Sequence, residues 1–525
     1  MTVTVLEPIS VASRKRDYYS LYNNNKIVDV HPNAKKGKFN QNNKNVQTPE
    51  KPKVTAVEKN KKVTSITSHI APKLSKRALE IQKEEFLLSK GIIIVRNNKY
   101  HPENNPNGII NLGTAENKLN NVEMLSKIND PKVSTVTPEQ LLYGPNPGSD
   151  RLREEIAKLL NRHFNPKVLL SKENICVGNG CGPLLNLCGE VLFDAGDAFL
   201  VPGPFYGGFE ADIKYGARVY PVPVQHEKDD CLKVSEEALE EALRNSSRPV
   251  KGIIIANPNN PFGRCYSAEQ LLLFCNFAKS HGLFVICDEI YGLSTWNDIV
   301  TENIEEGKTI EDYECHCDRC KGFKDNKRIE SDIDGRCSKF TSIFSLDLPD
   351  PENTHGLWGF SKDFCLNGLR IGVTISYSKT VMAAIQKICF LTCIPTNIDN
   401  ILVNILSDEK WTDEFILNNN RKLFKSYNHL TNSLNAHGIP YVKGDSGFFI
   451  YIDLHQAGLD EYDLWMKLLE GGLYISPSQA FFSKDSYEER NWFRICFAVE
   501  QAELDLSLDR LYKVLDTLKR NKQIN

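Results

Sequence analysis

From about residue 80 onward, two hydrophobic patterns take turns along the chain. Short apolar runs closed by Gly, Pro, Asn or Asp predict strands: ICVGN from Ile175, AFLVPG from Ala198, RVYPVPV from Arg218, GIIIAN from Gly252 and LFVICDE from Leu283. Between them, RLREEIAKLLNRHF from Arg151 and AEQLLLFCNFAKSHG from Ala268 repeat apolar residues at the spacing of a helix with one buried face. Strands alternating with helices imply an α/β fold with a mainly parallel sheet, whose ligands sit at the carboxyl ends of the strands. After about residue 398 a helical stretch leads to SGFFIYIDL and NWFRICFAV, which predict a smaller α+β domain.

The pattern divides the chain. Leu21 to Lys62 is rich in Asn and Lys, poor in aromatics and without period, so residues 1–76 are expected to be a disordered basic tail, solvated rather than a tether for an acidic partner. Residues 77–120 are expected to join the small domain, 121–397 to form a large ligand-binding domain, and 398–525 to form the small domain. The 525 residues carry a net charge of -3, which excludes a general attraction to nucleic acid or anionic membrane, and the apolar runs are too short to span a bilayer. Small-molecule partners are expected. Of 15 cysteines, Cys188, Cys275, Cys287, Cys389 and Cys496 lie in apolar segments, where a thiol behaves as a small hydrophobe. The first residues place Glu7 and Pro8 within the apolar part and the basic cluster after it, the reverse of a secretory signal, so a reducing cytoplasm is expected.

Three stretches carry chemistry: GIIIANPNNPFG at Gly252 to Gly263, VICDEIYG at Val285 to Gly292, and GFSKDFCLNGLRIG at Gly359 to Gly372. They put Asn260, Asp288, Tyr291, Lys362 and Arg370 at strand ends and turns, the set needed to hold an aldehyde-bearing phosphorylated pyridine, pyridoxal phosphate. A carboxylate such as Asp288 keeps a pyridine nitrogen protonated, and Asn260 and Tyr291 can donate to a ring oxygen. A lysine can be neutralised by burial, which suits Lys362 to be the Schiff-base amine. For the phosphate, NGCGPLLNL offers a Gly-rich turn entering a helix, with Asn179, Gly180 and Cys181 as cradle and Pro183 near the helix start. Arg370 adds a fork of donors. Taken singly, each has a bland alternative: a capping Asp, a common Asn-Pro turn, an ordinary Gly turn.

In combination these motifs resemble fold-type I pyridoxal-phosphate enzymes of the class I/II aminotransferase superfamily. Within it the chain is similar to 1-aminocyclopropane-1-carboxylate synthase and its animal synthase-like relatives, over roughly residues 80 to 520. The subfamily marker is GIINLGTAENKL at Gly108 to Leu119. The resemblance implies an aspartate-aminotransferase-like large domain with a seven-stranded sheet. It implies that Lys362 holds the cofactor and shuttles the Cα proton, with Ser361 beside it among the cofactor contacts, and that Asp288 pairs with the ring nitrogen. Asn260 and Tyr291 would contact the ring oxygen, Tyr206 would stack on the ring, and Arg494 would grip the substrate α-carboxylate. Tyr143, five residues before Gly148, would reach the phosphate of a neighbouring subunit, which implies a homodimer with shared sites. Glu116 would lie near the substrate and favour a synthase or eliminating lyase; the alternative is a helix-start Glu beside Asn117.

Four positions depart from the family pattern. Gly359 stands where a phosphate-binding Ser is frequent, Asn146 where plant-type synthases carry the Tyr, Cys365 where Gly is usual, and Gly207 where Pro is usual. The expected activity is Cα deprotonation of an amino acid followed by elimination or cyclisation. An aminotransferase is the alternative, and an inactive cofactor-binding scaffold is a reading of another class. Between Asn297 and about Lys339 the chain carries an insertion (298–339) outside the family pattern. Its Cys315, Cys317, Cys320 and Cys337 could hold zinc, but their spacing is irregular for a knuckle and a polar insertion with reduced thiols is the expectation.

Overall fold

A computed structural model describes residues 74–84, 86–227, 230–296, 340–482 and 491–524. The expectations for the tail up to residue 73, and for the insertion with Cys315, Cys317, Cys320 and Cys337, lie outside the described residues.

The strands are β1 (Ile110–Asn111), β2 (Ile175–Gly178), β3 (Ala198–Pro202), β4 (Tyr220–Val224), β5 (Val250–Ala256), β6 (Phe284–Asp288), β7 (Thr354–Gly359), β8 (Gly372–Ser376), β9 (Tyr441–Val442), β10 (Phe449–Asp453), β11 (Leu473–Tyr474), β12 (Ser476–Pro477) and β13 (Trp492–Cys496). Seven of them form one sheet in the order β2-β8-β7-β6-β5-β3-β4. Neighbours from β4 to β7 run parallel, and β8 is antiparallel to both β7 and β2. The mainly parallel seven-stranded sheet is therefore the one expected.

Its central strands are apolar on both faces because helices cover both. In β5, Ile253 and Ile255 join the core under the helices Asp150–Phe164, Ala268–His281 and Thr396–Leu406. Ile254 joins the opposite core, under Cys181–Leu192 and Lys379–Ile388. Val285 and Cys287 of β6 divide from Ile286 in the same way, the period-2 alternation that fixes register. Ser149 and Ser267 cap their helices by accepting from Leu152 and Gln270 backbone N–H groups, and Gly282 ends the second helix in the left-handed conformation. The five cysteines read as core are all buried.

A four-stranded antiparallel sheet, β12-β13-β10-β9, builds the second core with the helices Glu461–Glu470 and Gln501–Ile524. Ile109, Ile110 and Leu112 join that core, and β1 pairs with β11, so the segment before the large sheet is bound to the end of the chain. Arg494 and Gly113 are brought within reach of β5, β6 and β7 by this arrangement.

Candidate active site

A cavity of about 860 Å³ opens at the carboxyl ends of β5, β6 and β7. Ala256, Asp288 and Lys362 line its floor, and Leu88, Tyr206, Tyr474 and Arg494 are among the residues that wall it.

Strand β7 ends at Gly359 and the chain turns at once into the single helical turn Phe360–Asp363, which aims Lys362 into the cavity. Lys362 Nζ donates to the carbonyl oxygen of Ala115 at 2.7 Å. Burial, helped by the Arg494 charge, holds the amine down to about 8, so about a tenth of it is neutral at pH 7. Asp363, the next residue, fixes the turn: it accepts from Trp358 Nε1 at 2.9 Å, Leu293 N at 3.0 Å and Ser294 Oγ at 2.7 Å.

Asp288 is the last residue of β6 and is buried. Burial pushes its carboxyl up to about 7, with the Asp212 carboxylate adding to the rise and Lys362 opposing it. Tyr291 is buried edge-on between Phe448 and Phe449, with ring centroids 5.4 and 5.2 Å away, and burial raises its phenol. On β13, Arg494 donates from Nη1 to Asn260 Oδ1 at 2.9 Å and from Nη2 to the Gly113 carbonyl. Its guanidinium lies 5.0 Å from the Phe449 and Phe481 ring centroids. Arg494 Nε is buried with no hydrogen-bond partner among the described residues.

The helix Cys181–Leu192 starts at Gly180, whose φ of 124° few other residues adopt. A Cβ there would lie 2.8 Å from Arg370 Nη2, so the guanidinium is pressed against the helix start. Arg370 itself has φ 58°, a left-handed conformation costly for a non-glycine residue and frequent at binding sites. Cys181 contributes backbone only, because its thiol donates to the Trp358 carbonyl at 3.1 Å. Asn179 donates its backbone N–H to Thr392 O at 2.7 Å, is outside the cavity lining, and leaves Oδ1 buried with no hydrogen-bond partner among the described residues.

Of the other expected residues, Ser361 and Tyr206 line the cavity, the latter edge-on to Phe209 at 5.4 Å with its phenol raised by burial. Glu116 is exposed and outside the lining, although its charge supports protonation of Lys362. Tyr143 is fully exposed and outside the cavity, beside the exposed Leu141 and Leu142. Two departures have physical reasons. A Cβ at Gly359 would lie 2.7 Å from the Ile371 carbonyl and 3.0 Å from Cys181 Sγ, which leaves no room for a serine. Cys365 has φ 59°, which explains the glycine usual in the family pattern.

Sequence reading missed Asp212, Asn367 and Tyr474, all in the cavity lining. Asn367 Nδ2 donates to the same Ala115 carbonyl as Lys362, at 3.3 Å. Asn367 stands inside the Gly359 to Gly372 stretch but carried no assigned role there, and Asp212 and Tyr474 stand in no motif, so only spatial proximity singles them out.

This donor set fits a phosphorylated pyridine that carries an amino-acid substrate. Arg494 brings a guanidinium to the cavity wall, where it suits a carboxylate, the buried Asp288 gains from a cationic partner, and Arg370 beside the helix start supplies the donors that an anion needs. The model of the aminotransferase class I and II family matches residues 107–511. A mouse 1-aminocyclopropane-1-carboxylate synthase-like protein 1 is 33% identical over 435 residues, covering 80% of this chain and 78% of that protein. A human probable inactive 1-aminocyclopropane-1-carboxylate synthase-like protein 2 is 31% identical over 80% of this chain and 70% of its own length. The Cucurbita pepo 1-aminocyclopropane-1-carboxylate synthase 2 is 29% identical over 81% of this chain and 82% of its own length. In fold, the chain is similar to a Thermus thermophilus aspartate aminotransferase double mutant, with TM-score 0.63 and 19% identity over 84% of this chain and 100% of that one. The chain belongs to the class I and II aminotransferase family, whose members depend on pyridoxal phosphate.

Proposed function

We propose that the chain is an enzyme acting on an α-amino acid, and that its reaction is of the 1-aminocyclopropane-1-carboxylate synthase kind: Cα deprotonation followed by elimination or cyclisation. The observation that carries this reading is the convergence in one cavity of Lys362, held down to about 8, with Asp288 and with Arg494, whose Nε has no partner among the described residues. The names of the synthase and synthase-like relatives support the choice of reaction.

Bound pyridoxal phosphate supplies an electron sink for charge developing at the substrate Cα. The residues supply the rest. Lys362 is the attachment point and, once free, the base that takes the Cα proton on its neutral amine. Arg494 turns its donors to the substrate carboxylate and so orients the Cα–H bond. Asp288 keeps the ring nitrogen protonated, Asn260 and Tyr291 serve the ring oxygen, and Tyr206 offers a flat face. Arg370, Ser361 and the helix start with Gly180 and Cys181 hold the phosphate, and Tyr143 reaches a second copy of the chain in a homodimer. Glu116, whose charge reaches Lys362 from outside the cavity lining, is the acid that the resemblance to the synthases puts near the substrate on the eliminating branch.

Two other readings remain distinct. The five-residue spacing from Tyr143 to Gly148 and the fold of the solved aminotransferases favour amino-group transfer. The relatives named probable inactive favour a cofactor-binding scaffold. One experiment separates them: the cofactor-loaded protein is offered S-adenosylmethionine, vinylglycine, cysteine conjugates and alanine, with spectra and product analysis. Keto acid or cyclopropane amino acid accumulating while the cofactor keeps its form supports the proposal. Conversion of the cofactor to its amine form, reversed by a keto acid, replaces it with aminotransfer. No turnover with any of them leaves the scaffold.

A further inference from the structure

The cradle at the start of the helix Cys181–Leu192 is flanked by opposite charges. Arg370 meets its Gly180 end, and the carboxylate of Asp212, from the helix Gly208–Lys214, meets its Gly182 end. A Cβ on Gly182 would lie 2.8 Å from Asp212 Oδ1 and 2.9 Å from Oδ2, so the missing side chain at 182 is what admits the acid. No hydroxyl is available at 182 or at 359. Among the described residues nothing hydrogen-bonds the Asp212 carboxylate, and only Arg370 offsets its burial.

An ionised carboxylate and a phosphate dianion in one cradle would repel each other strongly at low dielectric. A single proton between them converts that repulsion into a charge-assisted hydrogen bond. We propose that Asp212 is a positioning residue that, carrying a proton, donates to a phosphate oxygen of the cofactor, so that binding the phosphate takes up one proton from solvent. This rests on the reading above that the phosphate sits at this helix start.

The groups facing Asp212 are consistent with it. The Cys181 thiol comes from the helix Cys181–Leu192, Arg370 from the segment after β7, Asp288 from β6 and Tyr206 from its own loop. On its own helix Glu210 is paired with Lys214, which also meets Glu84, and on β4 Tyr220 is covered by the Arg248 guanidinium. Burial already pushes the Asp212 carboxyl up to about 6 against the pull of Arg370, and a bound phosphate raises it further.

The test uses pyridoxamine phosphate, which has no aldehyde to engage Lys362, and pyridoxamine as the arm without phosphate. Affinities of the cofactor-free protein are measured by fluorescence from about pH 6.5 to 8.5, and calorimetry in buffers of different ionisation enthalpy counts protons. Wild type is expected to lose up to about tenfold in pyridoxamine phosphate affinity per pH unit and to take up close to one proton more than with pyridoxamine. Asp212→Asn, which keeps a donor, is expected to bind tightly with no such slope, and Asp212→Ala to bind weakly at every pH. Equal slopes in wild type and Asp212→Asn, or no extra proton uptake by wild type, would overturn the proposal. Absence of any lysine-bound visible absorption with pyridoxal phosphate in wild type would instead overturn the reading on which it rests.

Discussion

Arg494 on β13 donates to the side-chain oxygen of Asn260 at 2.9 Å, across 234 residues of sequence, and so ties the small sheet to the turn after β5. One hydrogen bond therefore joins the residue assigned to the substrate carboxylate to the residue assigned to the cofactor ring.

Arg494→Lys removes the planar fork while keeping the charge. Its expected effect is a rise in the half-saturating concentration of amino acid of at least about tenfold, corresponding to about 1.4 kcal/mol, with cofactor absorption retained. Spectral titration of the loaded protein with amino acid checks this, and an unchanged half-saturation would remove Arg494 from the carboxylate site.

Lys362→Ala is expected to abolish the visible absorption of lysine-bound cofactor. In wild type the neutral amine is the reactive form, and with its folded value lowered to about 8 the attachment rate should climb about tenfold per pH unit below 8 and level off above it. Stopped-flow absorbance with pyridoxal phosphate measures the profile. A plateau only above pH 10 would show that burial does not tune this lysine.

Asp363, in the Lys362 turn, holds three donors from two other segments, strand β7 and the loop after Tyr291. Asp363→Ala leaves those donors unpaired and is expected to cost about 3 kcal/mol of stability. Denaturant unfolding gives the figure, and a loss below about 0.5 kcal/mol would mean that the turn is held by packing alone.

Glu289 is buried beside β7 and accepts from Ser342 Oγ and Ile343 N, each at 2.7 Å. Burial pushes it up to about 8. Between its unfolded value of 4.5 and 8 the folded state binds the extra proton, so its contribution is full below pH 4.5 and is lost as pH rises to 8. Glu289→Gln should therefore remove a slope of up to about 1.4 kcal/mol per pH unit in that window. Unfolding free energies of the two proteins that stay parallel from pH 5 to 8 would contradict it.

Tyr143 is exposed in a run with Leu141 and Leu142, and in the proposed homodimer it would complete the site of a second copy. Mixing Tyr143→Phe with Lys362→Ala should restore tight cofactor binding, because a mixed dimer contains one site with both native residues. Titration of the mixture against each parent reads this out, and a mixture no better than the average of its parents would confine each site to one chain.

Much of the site was legible from local pattern. Strand runs ending in Asn, Asp or Gly placed Asp288 at the end of β6, and the GFSKDF stretch placed Lys362 just beyond β7. Local pattern also marked the Gly180 turn; there the Asn179 backbone N–H is taken by Thr392, and the Cys181 thiol, which a backbone cradle does not use, donates to Trp358.

Burial and field, by contrast, belong to whichever segments meet. Lys362 is bonded to Ala115 from 247 residues away, and its lowered amine follows from an enclosure that no spacing encodes. Asp212 looks in sequence like one acid of an amphipathic helix, and only the approach of that helix to Gly182 puts its carboxylate in the phosphate cradle. Amino-acid order by itself determined the layered fold, the strand ends and the identities of the reactive groups, because these depend on neighbours within a few residues. Which groups are desolvated, which charges face one another and where room is left by an absent Cβ were decided by tertiary contact, because electrostatic energy depends on distance through space and on the water that folding removes.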